Sequence, residues 1–398
     1  MEISTERRMR IQREIKENGF DALFCRLSEH VLYFTGYWPR NHVAAALVPA
    51  QGNPVLLLSE QEALWELENK SPSAGVELIT FPFESPVVLR GVNDALAAVL
   101  PSLFKRLGIE AARIGIEQKV EMANTGIFQG EVKYPSGPTW EMLRELFPKA
   151  KFSDASGTFL KLRSVKSPEE VQAIRLAIEI AGMGYEAALE ELTPGMKETE
   201  LAAVVESAIH TQGTGYKGVK QARGYACVYT GDRSAKQWTH YAYSTERTIN
   251  KDENVIIELG CFADGYWADL TRNFCAGTAS RRMRELFHIA HGAQKAAIES
   301  AQAGIVIADL VEIVEKYLDD HGCAHLWPHG LGHGVGTAYH EGPPLHKAFN
   351  KPLVKGMVLT LEPGIYEDGL GGFRPEDMIL ITDGDPDLLS KDLPHPLS

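Results

Sequence analysis

The 398-residue sequence predicts an α/β domain over residues 1–155 followed by an α+β domain over residues 156–398. Three observations carry this. Strand-like and helix-like segments alternate through the first 150 residues, the pattern of an α/β unit. The stretch Lys166-Ser167-Pro168-Glu169-Glu170 then opens a long helix, with Ser167 as N-cap, Pro168 at the first helical position and Glu170 completing a capping box. Beyond it, two strand pairs with glycine-rich turns carry isolated acids inside apolar runs.

In chain order, residues 4–18 read as a charged amphipathic helix and Asp21 to Cys25 as a strand. His42 to Pro49 and Pro54 to Leu58 read as strands paired around Ala50-Gln51-Gly52-Asn53. Val88 to Leu107 has helical periodicity, and Arg113 to Glu117 reads as a further strand. The capped helix runs to about Glu191, and Thr193-Pro194-Gly195-Met196 breaks it before a second helix over Lys197 to Gln212. Hairpins are predicted at 253–276 and 357–383, with helices Arg281 to Gln302 and Ile307 to Gly322 between them.

Composition excludes some functions. A formal charge of −13 disfavours nucleic acid and anionic membrane as main partners, since these need a basic face. No apolar run reaches the length of a membrane span. The N-terminus lacks the apolar core of a signal peptide. Five widely spaced cysteines without a Cys-x-x-Cys pair fit reduced thiols in a cytoplasmic protein.

The chemistry concentrates in one stretch, Pro328-His329-Gly330-Leu331-Gly332-His333-Gly334-Val335-Gly336 followed by Tyr339-His340-Glu341. Three histidines fall within twelve residues of a glycine-rich loop, which lets backbone approach a ligand closely. Strand-like segments around it carry Glu258, Asp269, Glu362 and Glu376. Acids in apolar strands are costly to bury unless paired or bound to metal. Glu258 and Asp269 lie eleven apart across Ala263-Asp264-Gly265, whose Asp-Gly pair is a strong hairpin signal. Glu362 and Glu376 form a second such pair, and His333 comes from the loop between.

Four carboxylates and one imidazole are too many for one zinc. They suit two divalent ions about 3.5–4 Å apart with an acidified bridging water that attacks as hydroxide. Carboxylate-rich donors favour manganese, with iron, cobalt and zinc as competitors. His240, His329 and His340 are candidate donors to a carbonyl oxygen or its tetrahedral intermediate. Arg374, two before Glu376, is a candidate clamp for a carboxylate. Together these describe amide hydrolysis. The remaining histidines read as structural, Asp264 as a turn residue and Asp377 as a supporting acid.

The ordered pattern resembles the pita-bread metallopeptidases, the group of methionine aminopeptidase, Xaa-Pro aminopeptidase, prolidase and the metal-free creatinase. The matching segments are Glu258-Leu259-Gly260, Asp264-Gly265-Tyr266, Asp269-Leu270-Thr271-Arg272, the histidine loop, Gly356 to Tyr366, and Gly371-Gly372-Phe373-Arg374-Pro375-Glu376-Asp377. The preceding α/β domain is similar to that of the Xaa-Pro aminopeptidase, prolidase and creatinase branch. The resemblance implies a pita-bread catalytic domain and cleavage before proline in a small peptide. It assigns Asp269, His333, Glu362 and Glu376 to metal positions, with Glu362 also a proton shuttle. His240 and His340 take the positions of histidines that contact substrate, with His329 nearby. A homodimer is expected from the same branch.

Two departures stand out. Glu258 occupies a position where the family usually has aspartate, and the segment 224–239 before His240 departs from the usual small-residue pattern. These leave a metal-dependent lyase or a creatinase-like amidinohydrolase as alternatives on the same fold, and a non-catalytic binding protein as a third.

Overall fold

A computed structural model describes residues 2–40, 43–85, 88–89, 91–118, 137–239 and 243–397. Among these, residues up to Arg163 form one compact unit and those from Ser164 a second.

In the first unit α1 (Thr5–Glu17) starts where the Ser4 hydroxyl accepts from the Arg7 N–H. Strands β1 (Ala22–Cys25), β2 (Ala44–Pro49), β3 (Val55–Ser59), β4 (Glu77–Phe81), β7 (Arg113–Ile116) and β8 (Lys151–Asp154) form one mixed sheet. Its order is β4-β3-β2-β1-β7-β8. The two-residue strands β5 (Glu84–Ser85) and β6 (Val88–Leu89) pair with each other. Alternate residues of β1 divide between two cores: Leu23 and Cys25 pack with Ile11, Val31 and Phe34, while Ala22 and Phe24 pack with Leu96, Leu100 and Phe104. Period two therefore yields a sheet buried on both faces. Helices α2 (Ser28–Thr35), α3 (Glu60–Leu67), α4 (Val92–Leu107), α5 (Gly137–Leu146) and α6 (Ser156–Ser164) complete this part of the chain. The helix predicted from Val88 begins only at Val92: Gly91 is its N-cap, and Val88 and Leu89 are extended. The predicted strand at His42 begins at Ala44, and His42 itself lies outside the described residues.

In the second unit α7 (Pro168–Glu191) begins with the predicted capping box, the Ser167 N–H donating to Glu170 Oε2 at 3.0 Å. Helix α8 (Glu198–Ala208) runs into a π turn over Ile209–Gly213. Strands β9 (Ala222–Thr230), β10 (Asn254–Ala263) and β11 (Tyr266–Cys275) form an antiparallel sheet in unbroken register. The β10–β11 turn has Asp264 at φ 46° and Gly265 at φ 97°, the paired positive angles an Asp-Gly turn favours. The Tyr185 hydroxyl of α7 donates to the Leu270 carbonyl at 2.8 Å, tying helix to sheet.

Helices α9 (Arg281–Ser300) and α10 (Ile307–Asp320) share a core with a second sheet. That sheet comprises β12 (Gly332–Gly334), β13 (Glu341–Leu345), β14 (Val358–Leu361), β17 (Asp377–Leu380) and β18 (Asp387–Leu388), ordered β13-β12-β14-β17-β18. The short hairpin β15 (Ile365–Glu367) and β16 (Gly371–Phe373) lies between β14 and β17 in sequence. A bridge between Thr271 and Glu376 joins the two sheets, so acids from both meet. Among the described residues no helix is long and apolar enough to cross a membrane.

Candidate metal centre

The β10–β11 register pairs Gly260 with Asp269 and Glu258 with Thr271. Side chains two apart on a strand, and directly opposite across a pair, share a face. Glu258, Gly260, Asp269 and Thr271 therefore line the same face. Gly260 leaves space there: a Cβ would stand 2.8 Å from the Tyr339 ring. The Tyr339 ring fills that space, and its hydroxyl donates to Asp269 Oδ1 at 2.7 Å.

The histidine loop enters through β12. A Cβ on Gly334 would come within 2.4 Å of the Gly342 carbonyl, so glycine permits the close pass of backbone that seats His333. His333 donates its Nδ1–H to the Gly334 carbonyl at 2.9 Å. Its Nε2 lone pair is thereby directed at Asp269 Oδ2 (3.3 Å) and Glu362 Oε1 (3.6 Å). The His333 N–H donates to Thr360 Oγ1, whose own proton goes to Glu362 Oε1 at 3.3 Å. Thr271 donates to Glu376 Oε2 at 2.6 Å.

Ligand atoms of Asp269, His333 and His340 lie within 4.8 Å of one another, as do those of His333, Glu362 and Glu376. Four of the five sequence-predicted metal residues thus converge. The fifth, Glu258, sits beside Arg374, with Oε2 at 3.0 Å from Nη2, and also accepts from Gln237. Arg374 further reaches Glu362 Oε2 at 3.4 Å and Glu376 Oε2 at 3.9 Å, and donates to Thr271 Oγ1. Arg374 thus contacts three acids of the cluster. His340 Nε2 lies 3.5 Å from Asp269 Oδ2, inside the donor cluster. His329 donates Nδ1–H to the Gly330 carbonyl and accepts from the Tyr366 hydroxyl at 2.9 Å. His240 lies outside the described residues.

Thr271, Thr360, Tyr339, Tyr366 and Gln237 take part without having been singled out. All five lie within segments quoted from the sequence, Tyr339 directly preceding His340. Of the acids and histidines expected to be structural, Asp264 accepts from the N–H groups of Lys220 and Gln221 at its turn. Asp377 pairs with Arg272 at 2.8 Å and accepts from Ser390. His30 pairs with Glu117.

Electrostatics distinguish the centre. Burial and the Glu376 charge push Glu362 up to about 8, against the pull of Arg374 and His333. Burial and the Asp269 charge raise Glu376 to about 8, against Arg374 and Thr271. Asp269 is pushed well above the usual carboxylate range by burial, then by Glu362 and Glu258. One guanidinium thus faces four acids. The surplus negative charge and the oriented imidazole lone pair fit one or more divalent cations.

The family model described as "Metallopeptidase family M24" matches residues 172–383, more than half of the chain. The "Creatinase/Prolidase N-terminal domain" model matches residues 7–165. The chain is 28% identical over 386 residues to the Xaa-Pro dipeptidase of Pyrococcus furiosus, covering 97% of this chain and 98% of that protein. It is 29% identical over 394 residues to the Xaa-Pro dipeptidase of Pyrococcus horikoshii, covering 98% of each. Among solved structures, the prolidase from Pyrococcus horikoshii OT3 superposes with a TM-score of 0.76 at 27% identity, covering 98% of this chain and 100% of that one. The X-Pro aminopeptidase from Thermotoga maritima shares the fold, with a TM-score of 0.78 at 23% identity over 96% of this chain and 98% of that one. Two domain models in tandem, full-length relatives and a buried acid–histidine cluster lead to one conclusion: this chain belongs to metallopeptidase family M24, with a creatinase/prolidase N-terminal domain.

Proposed function

We propose that this chain hydrolyses the peptide bond before proline in Xaa-Pro dipeptides. In this reading two divalent cations are held by Glu258, Asp269, His333, Glu362 and Glu376. The carrying observation is the charge imbalance: four clustered acids, one guanidinium, and an imidazole lone pair turned toward them. The full-length Pyrococcus relatives, both Xaa-Pro dipeptidases, support the substrate class. The oxygen-rich donor set favours manganese over iron, cobalt or zinc.

When bound, the cations supply Lewis acidity and activate a water for attack on a carbonyl. The protein's own groups do the rest. Tyr339 holds Asp269 Oδ1 and leaves Oδ2 turned toward His333 and His340. Thr271 orients Glu376, and Arg374 orients Glu258 and Glu362. Glu362 takes a proton from the attacking water and delivers it to the departing proline nitrogen. His340 and His240 donate to the carbonyl oxygen as negative charge develops, with His329 held nearby by Gly330 and Tyr366. We place the enzyme in the cytoplasm as a homodimer, in keeping with its five free cysteines and its family branch.

A second reading rests on Glu258, which Gln237 and Arg374 hold at the edge of the cluster. A lyase or amidinohydrolase on this scaffold would need a pocket altered at that edge. Elemental analysis and a substrate panel decide between the two. We expect two equivalents of metal per chain and cleavage of Xaa-Pro dipeptides ahead of longer Xaa-Pro peptides and Xaa-Ala dipeptides. A metal-loaded enzyme inert toward every peptide in the panel would sink the peptidase reading.

A further inference from the structure

Two departures from the family pattern meet at a single hydrogen bond. Glu258 carries one methylene more than the expected aspartate, and Gln237 belongs to the departing 224–239 segment. Gln237 is buried and donates its side-chain N–H to Glu258 Oε2. The same oxygen lies 3.0 Å from Arg374 Nη2. The Gln237 carbonyl Oε1 is 3.4 Å from the Tyr366 hydroxyl, which in turn contacts His329 Nε2. Amide orientation follows from the carboxylate: Glu258 only accepts, so the Gln237 NH2 must face it.

A glutamate has one more rotatable bond than an aspartate, and holding it in one rotamer costs entropy. Gln237 and Arg374 grip Oε2, which leaves Oε1 as the oxygen for a cation. We propose that Gln237 is a positioning residue for Glu258, and that glutamine at 237 and glutamate at 258 form one co-adapted pair. An aspartate at 258 would be too short to reach the amide and would need no such partner. This inference rests on the reading of Glu258 as a metal ligand.

The test is calorimetric titration of Mn²⁺ into the metal-free full-length chain, comparing the unmodified protein with Gln237→Met, Glu258→Asp and the double variant. Removing a hydrogen-bond partner of a ligand typically weakens metal binding about 10–100-fold. We expect Gln237→Met to weaken one class of Mn²⁺ site by about 10-fold or more when residue 258 is glutamate. In the Glu258→Asp background the same change should stay within about 2-fold, the usual error of additivity. Equal losses in both backgrounds, or none in either, overturn the proposal. If Glu258→Asp binds no metal or fails to fold, Gln237→Met decides by itself. Weakened Mn²⁺ binding with an unchanged metal-free thermal midpoint supports the pairing. Unchanged affinity, or a loss that accompanies a lowered midpoint, overturns it. Failure of the unmodified chain to bind Mn²⁺, Fe²⁺, Co²⁺ or Zn²⁺ would instead remove the reading of Glu258 as a metal ligand beneath it.

Discussion

Each compact unit buries a cluster of charged groups, and the two clusters are built to opposite ends. In the first unit, Glu117 accepts from the N–H groups of Arg26 and Leu27 and pairs with His30, whose other ring nitrogen meets Arg163. Every Glu117 oxygen has a donor, and the Arg26 cation stands near the acid. In the second unit, Glu258, Glu362 and Glu376 share Arg374 as their permanent cation among the described residues, Asp269 lies beside them, and burial with mutual repulsion pushes Glu362 and Glu376 up to about 8. The first cluster is complete without a ligand. The second is left short of positive charge. Burial of ionisable groups does not by itself mark a functional site; unbalanced burial does.

The contrast can be broken most sharply at His333. His333→Ala removes the one nitrogen donor common to both donor groups. We expect loss of at least one metal equivalent and of all measurable turnover, with the fold retained. Full metal retention by elemental analysis would take His333 out of the centre.

His340→Ala should act next most strongly. Loss of one donor to a developing oxyanion lowers kcat about 10²–10³-fold. Because His340 Nε2 also lies 3.5 Å from Asp269 Oδ2, metal content must be measured on the same sample. Retained metal assigns the residue to substrate, and stoichiometric loss assigns it to the cation.

Glu117→Ala probes the other side of the comparison. Removing one member of a buried, hydrogen-bonded pair costs about 3–5 kcal/mol. Urea unfolding should register that loss while metal content stays unchanged. A variant with normal stability would show that the first cluster is not the self-sufficient network described.

The smallest effect is expected at the partly exposed Arg247–Glu253 pair. Burial alone would raise the Glu253 carboxyl, but hydrogen bonds from Arg247 and Asn250 outweigh it and hold the group at about 2. A carboxyl depressed in the folded state adds stability above its unfolded value of about 4.3, and loses it as pH falls toward the folded value. Solvent screening limits the gain to about 1 kcal/mol or less. Glu253→Gln should therefore be destabilising in urea at pH 7 and nearly neutral at pH 2. An equal deficit at both pH values would exclude the charge as its origin.

The sequence by itself determined the elements and the positions of the donors. The Asp264-Gly265 turn, the capping box at Ser167 and Glu170, and the spacing of Glu258 and Asp269 depend on residues close in the chain, where turn chemistry and period two act. The misplaced start of α4 has the same origin in reverse, since periodicity ran through Gly91 and the extended Val88 and Leu89. Tertiary structure alone decided how the donors are held. The hydroxyl of Tyr339 reaches Asp269 across 70 residues, Thr271 meets Glu376 across 105, and Gln237 meets Glu258 across 21. Such contacts leave no periodic trace, because each needs one polar atom at one place rather than a patterned face. Whether a carboxylate points at a cation or at an arginine is therefore settled only when both sheets are assembled around it.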